Sequence, residues 1–171
     1  GGAPGQGEAA MELNLIVGQT VFVWLIALWI LLGALENIRN PKVNRDSVAE
    51  VMDMSRMAEV YPAFYEVFRR NRVIDSRLHA LAFRVIVWGE SVVAAVLVVA
   101  ALWLTAACLG LAAADGARVL AAWGAIGFTL VWGLFLVGGQ WFHYWCGYEG
   151  AQATHFMAAI WGMLTFAILH L

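Results

Sequence analysis

Charge, proline and cysteine are all scarce in this chain of 171 residues. Only 13% of it is Asp, Glu, Lys or Arg, about half the roughly 25% of a soluble domain. Ten basic residues stand against twelve acidic ones, so no basic excess exists to neutralise a phosphate backbone, and nucleic-acid partners are not expected. Two cysteines cannot make a disulfide scaffold, and no CxxC or CxxCH spacing offers a zinc, thioredoxin-like or covalent haem site. There is no P-loop, no GxGxxG, no HExxH and no Ser/His/Asp set, so an enzyme is not expected and no metal site is assigned.

Hydrophobic residues take the place of what is missing. They make up 63% of the chain, 9 Trp and 9 Phe among them, and 17 Gly stand beside them. Leu13 to Leu35, Ser91 to Ala114, Val119 to Tyr148 and Ala151 to Leu171 carry no formal charge. About 20 apolar residues suffice to cross a ~30 Å hydrocarbon core as a helix. The pattern predicts an all-α fold, an integral membrane bundle of four transmembrane helices at about 13–35, 81–108, 119–144 and 153–171. Residues 1–12, beginning GGAPGQGEAA, read as a flexible extension ahead of a four-helix membrane domain over 13–171.

Residues 36–78, between the first and second spans, hold eight of the ten Lys and Arg residues. The positive-inside rule counts basic residues rather than net charge, and so predicts this loop in the cytoplasm and both termini on the periplasmic side. Ser47-Val-Ala-Glu50 has the pattern of a capping box, which predicts a helix running to about Tyr61. Tyr61, Phe64, Tyr65 and Phe68 follow with the i, i+3, i+4, i+7 spacing of one helical face, bordered by arginines. Such an amphipathic stripe suits a helix lying in the headgroup plane, or one packed on the ends of the spans or on a partner subunit. Asp75-Ser76 should cap the second span.

An ionisable group inside a span costs roughly 2.5 to 3.5 kcal/mol on insertion scales, which makes Glu90, ~9 Å deeper than Arg84 at 1.5 Å per residue, the residue to explain. Alternating crossings bring Glu36 and Asn37, Gln140 and His143, and His155 to the same end of the bundle. Glu90, Gln140, His143, His155, Arg84 and Glu36 thus form a candidate polar cluster. Two readings stay open. The cluster locks the helices together, with Glu90 bonded to Gln140, His143 or Arg84; or it passes protons or takes a quinone headgroup, a metal or a haem b held by His143 and His155. The tryptophans fit an interfacial belt and lipid-facing positions, and Gly124, Gly127, Gly133, Gly138 and Gly139 thin one side of the third span for a neighbouring helix or a bound lipid.

Two blocks, MDMSRMAEVYPAFYEVFRRNRVIDSRLHALAFRVIVWGES at 52–91 and GGQWFHYWCGYEGAQATHF at 138–156, cover about a third of the chain. They resemble the bacterial family of predicted small integral membrane proteins of unknown function. The sequence departs from that family's pattern at Gln140, where the family has Glu, and at Tyr148-Glu149, where it has Trp-Asn; of any intramembrane carboxylate pair only Glu90 remains. The resemblance implies the four-span fold and a bacterial inner-membrane location, and implies no reaction. The expected role is that of a non-catalytic accessory subunit of a larger inner-membrane complex, respiratory or photosynthetic, with other integral membrane subunits and lipids as partners. The alternatives are a small proton-linked transporter or channel using Glu90, or a quinone- or haem-binding subunit.

Overall fold

A computed structural model describes residues 5–171, the Gln6 side chain excepted. It is 86% helical, with no strand among the described residues. Four long helices, α1 (Gln6–Arg39), α5 (Ser76–Cys108), α6 (Ala114–Trp141) and α7 (Glu149–Ile168), are each apolar and long enough to cross a membrane. Three short ones, α2 (Pro41–Asp53), α3 (Ser55–Val60) and α4 (Pro62–Phe68), with a 3-10 turn at Arg69–Asn71, fill the connection from α1 to α5.

The helices outrun the charge-free segments that announce them. At 1.5 Å per residue the 34 residues of α1 extend about 51 Å, well beyond a ~30 Å core, so Glu8, Glu12 and Arg39 ride on helical turns outside the hydrocarbon. Residues 6–12 are accordingly the first turns of α1, not a flexible extension, and residues 1–4 of that expected extension lie outside the described residues. α5 likewise starts at Ser76, where Asp75 accepts the Arg77 backbone N–H at 2.8 Å as the predicted cap.

α1 packs chiefly on α5, α5 on α6 and α6 on α7, and α1 returns to touch α6 and α7. Lipid tails are as apolar as leucine, so the fit between surfaces, not expulsion of water, holds such helices together. The contact faces interleave alanines with larger apolar residues at helical spacing: Ala94, Leu97, Ala101 and Leu104 on α5 meet Ala117, Ala121, Ala125 and Phe128 on α6, all buried. Four of the six glycines of α6 divide by use. A Cβ on Gly124 would run into Leu97 and one on Gly127 into Val93, whereas Gly133 and Gly138 face open space. Gly162 plays the same part on α7, where α6 presents Phe128 and Thr129. Trp88, Trp123 and Trp141 stand exposed on the outer surface, as interfacial and lipid-facing side chains would.

The α1–α5 connection forms a cap on one end of the bundle. It does not contain the predicted helix from Ser47 to Tyr61. α2 begins six residues earlier at Pro41, whose fixed φ and missing N–H suit a first helical position, and Ser47 Oγ bonds back to the Val43 carbonyl at 3.0 Å. The helix then breaks at Met54, which takes the left-handed conformation at φ 61°. That break turns Met54 and Met57 inward onto Cys146, and the three buried side chains form a second small core walled by Tyr61, Tyr65, Phe68, Phe142 and Trp145.

Candidate functional site

Glu90 is 5% exposed on α5, and α1 supplies its partner. Asn37 Nδ2 donates to Glu90 Oε2 at 2.7 Å, and Asn37 Oδ1 in turn accepts from Asn44 Nδ2 of α2 at 2.6 Å. The three residues make a short polar run from inside the bundle to an exposed position under the cap. Asn37 can do this because α1 continues past Leu35 without a break, which swings its amide to the buried side of α1 while Glu36 stays exposed and bonds Asn40 at 2.8 Å.

The other expected members of the cluster lie elsewhere. Arg84 is exposed and its Nε donates to the Ala80 carbonyl of its own helix at 3.2 Å; Gln140 is exposed at the end of α6. His143 sits just past α6 at φ 50°, its ring 4.0 Å from that of Phe68, and its buried Nδ1 has no hydrogen-bond partner. His155 on α7 lies among Trp132, Phe135 and Tyr144 at ring separations of 5.4, 4.9 and 5.9 Å, with Tyr144 Oη 3.3 Å from its Nδ1. The two imidazoles thus occupy separate aromatic nests, one under the cap and one between α6 and α7. Among the described residues no three His, Cys, Asp or Glu side chains form a group able to hold a metal ion.

The aromatic stripe of the loop divides as well. Tyr61, Tyr65 and Phe68 pack on the second core, while Phe64 remains exposed. Tyr61 Oη donates to Glu149 at 3.0 Å, and this carboxylate raises the phenol's pKa. Arg72 Nη1 donates to Tyr65 Oη at 2.6 Å, and Asn71 Nδ2 to the Trp141 carbonyl at 3.0 Å. Tyr148 Oη donates to Glu50, and burial, reinforced by that carboxylate, pushes its pKa well above the ordinary phenol value. Burial also pushes up the Cys146 thiol. These side chains stitch the cap to the α6–α7 connection. A polar cleft of about 350 Å³ opens between them, lined by Ser47, Glu50, Ser55, Arg56, Glu59 and Tyr148.

At the opposite end a second polar tie joins three spans. Gln19 of α1, 1% exposed, donates through Nε2 to the Ile168 carbonyl of α7 at 3.0 Å and accepts from Arg118 Nε of α6 at 2.9 Å. Beside it Thr20 Oγ1 lies 3.2 Å from Cys108 Sγ, and just over a turn further along α1 Trp24 Nε1 donates to Thr105 Oγ1 at 3.0 Å, both between α1 and α5. Sequence reasoning centred on ionisable groups passes over Gln19. Its signal was an amide inside a charge-free span.

The model of one protein family, described as predicted small integral membrane protein (DUF2165), matches residues 15–171. No curated protein and no solved structure matches the chain.

Proposed function

We propose a function from this premise: the chain belongs to the DUF2165 family of predicted small integral membrane proteins and has four candidate membrane spans. Its role is that of a non-catalytic accessory subunit in a larger bacterial inner-membrane assembly, a respiratory or photosynthetic complex. One observation carries the reading. Several polar groups within the spans tie helices to one another: Glu90 with Asn37, Gln19 with Arg118 and Ile168, Trp24 with Thr105. A polar side chain already satisfied inside its own bundle stabilises a rigid module. What such a module offers outward is a surface of Trp, Leu and Val, suited to lipid and to the spans of other subunits. The cap, with its arginines, would lie on the cytoplasmic side and both termini in the periplasm. A reporter enzyme active only outside the cytoplasm, fused at Leu171, would be active under that orientation and silent under its inverse.

The test of the accessory role is to extract the protein from its native membrane in a mild detergent and weigh the particle it travels in. Co-migration with larger subunits in fixed ratio is the expected result; a monomer or small homo-oligomer would sink the reading. A second reading has its own support, since the run Glu90–Asn37–Asn44 reaches an exposed residue and is the kind of path a proton-linked transporter would use. Proton flux into vesicles holding the purified chain, abolished by Glu90→Gln, would favour it over the first.

A further inference from the structure

The Gln19 tie does more than join three spans: it fixes a cation at the mouth of an apolar groove. The groove, of about 330 Å³, runs between α6 and the end of α7. Its walls are Val119, Ala122, Trp123, Ile126, Phe166 and Leu169, and Arg118 and His170 stand beside them. From Arg118 to Ile126 is eight residues, so the apolar wall descends about 12 Å from the guanidinium at 1.5 Å per residue.

Arg118 is the one Lys or Arg at this end of the bundle: the chain has none before Arg39 and no other after Arg84. Its guanidinium is held in place before any ligand arrives, because the buried Gln19 takes its Nε–H and Gln19 is itself anchored on the Ile168 carbonyl. Asp115 stands 3.6 Å from Nη1, but that carboxylate is 97% exposed, and a hydrated pair of this kind contributes little. The terminal nitrogens of a guanidinium whose Nε is already committed remain as a fork that matches two oxygens of a phosphate. His170 uses Nδ1 on the Phe166 carbonyl at 2.8 Å, which leaves its Nε2 as a further polar atom at the mouth. A pre-placed cation costs less side-chain entropy on binding than a free one.

We propose that this groove holds one glycerophospholipid, with its phosphodiester on Arg118 and an acyl chain along Ala122 and Ile126. Charge complementarity selects the headgroup and the apolar walls select the tail; each alone describes ordinary annular lipid, and their adjacency describes a site. The proposal stands independently of the accessory role.

The test is native mass spectrometry of the full chain, delipidated and then titrated with phosphatidylglycerol or with a diacylglycerol of the same chains. One phospholipid should be retained under activation that strips the rest, and the diacylglycerol should not. Arg118→Gln should lower occupancy of that phospholipid at least tenfold. Ala122→Phe, which fills the groove and leaves the Arg118–Gln19 bond alone, should do the same, and decides the matter if Arg118→Gln fails to fold. Retention of the diacylglycerol, or undiminished retention of the phospholipid by a folded form of either variant, overturns the proposal.

Discussion

Asn37→Leu is the substitution that most directly tests how Glu90 is tolerated inside a span. It removes the donor 2.7 Å from Oε2 and leaves a 5% exposed carboxyl group without its partner. Leaving a buried acceptor unsatisfied costs roughly 1–3 kcal/mol. Hydrogen bonds between membrane helices measured by double-mutant cycles average about 0.6 kcal/mol and reach about 1.7. We expect Asn37→Leu to destabilise the bundle by about 1–2 kcal/mol. Glu90→Gln should cost less than about 0.5 kcal/mol, because the amide oxygen of glutamine accepts the same N–H. Combining Asn37→Leu with Glu90→Leu should cost less than the sum of the two, by a coupling of about 0.6–1.7 kcal/mol. Asn37 also accepts from Asn44, so Asn44→Ala serves as the control, and at an exposed position it should cost under about 0.5 kcal/mol. The assay is reversible unfolding of the full chain in mixed micelles of a mild detergent and dodecyl sulfate. Strict additivity, or a Glu90→Gln variant as unstable as Asn37→Leu, would refute the pairing.

Other expectations are read from the same contacts. Gly139→Ala should destabilise by about 1–3 kcal/mol, since its Cβ would enter the buried Tyr144 ring, whereas Gly133→Ala, which meets nothing, should fold at least as well as the parent; thermal melts of the two decide it. Tyr148 should resist ionisation in the folded protein. Its folded pKa lies above the ~10 of an unfolded tyrosine, so its contribution is fully present below pH ~10 and is lost as pH rises further, the unfolded chain giving up its proton first. Tyrosinate absorbance of the parent against Tyr148→Phe would contradict this if the missing amplitude titrated near pH 10 before unfolding. Cys146, buried in the second core, should react with maleimide only after unfolding, and oxidants should never join it to Cys108 within one chain. The 28 residues of α6, about 42 Å, lie between the ends where the two thiols sit, and an intramolecular disulfide found by peptide mapping would contradict the fold.

The spans were legible because hydrocarbon tolerates so little: a stretch without Asp, Glu, Lys or Arg has few other homes, and each of the four became a helix. Their ends were less legible. Charges stop a hydropathy count but not a helix, and Glu8, Glu12 and Arg39 are helical all the same. Inside the cap the capping-box pattern at Ser47 misled, because Pro41 had already started a helix and a serine in its second turn has a nearer carbonyl to bond. The break at Met54 had no signal in the sequence, since methionine carries no preference for left-handed backbone; the contacts of Met54 and Met57 with Cys146, 92 residues or fewer away along the chain, decide it. Glu90 could be picked out from sequence but not its partner. Gln140, His143 and Arg84 were the expected partners, and only the uninterrupted run of α1 to Arg39 brings Asn37 round to it.

The order in which the spans leave the ribosome gives two amides of α1, Asn37 and Gln19, a temporal meaning. Asn37 precedes Glu90 by 53 residues, about 3–10 s of synthesis at ~5–20 residues per second. When α5 emerges with its carboxyl group, a waiting amide is already in the bilayer to receive it. Gln19 waits longer, first for Arg118 and last for the Ile168 carbonyl, 149 residues on. The first span is thus made before Glu90, Arg118 and the Ile168 carbonyl that bond to it, and its removal should strand Glu90 and Arg118 during insertion before any question of the finished bundle's stability is reached.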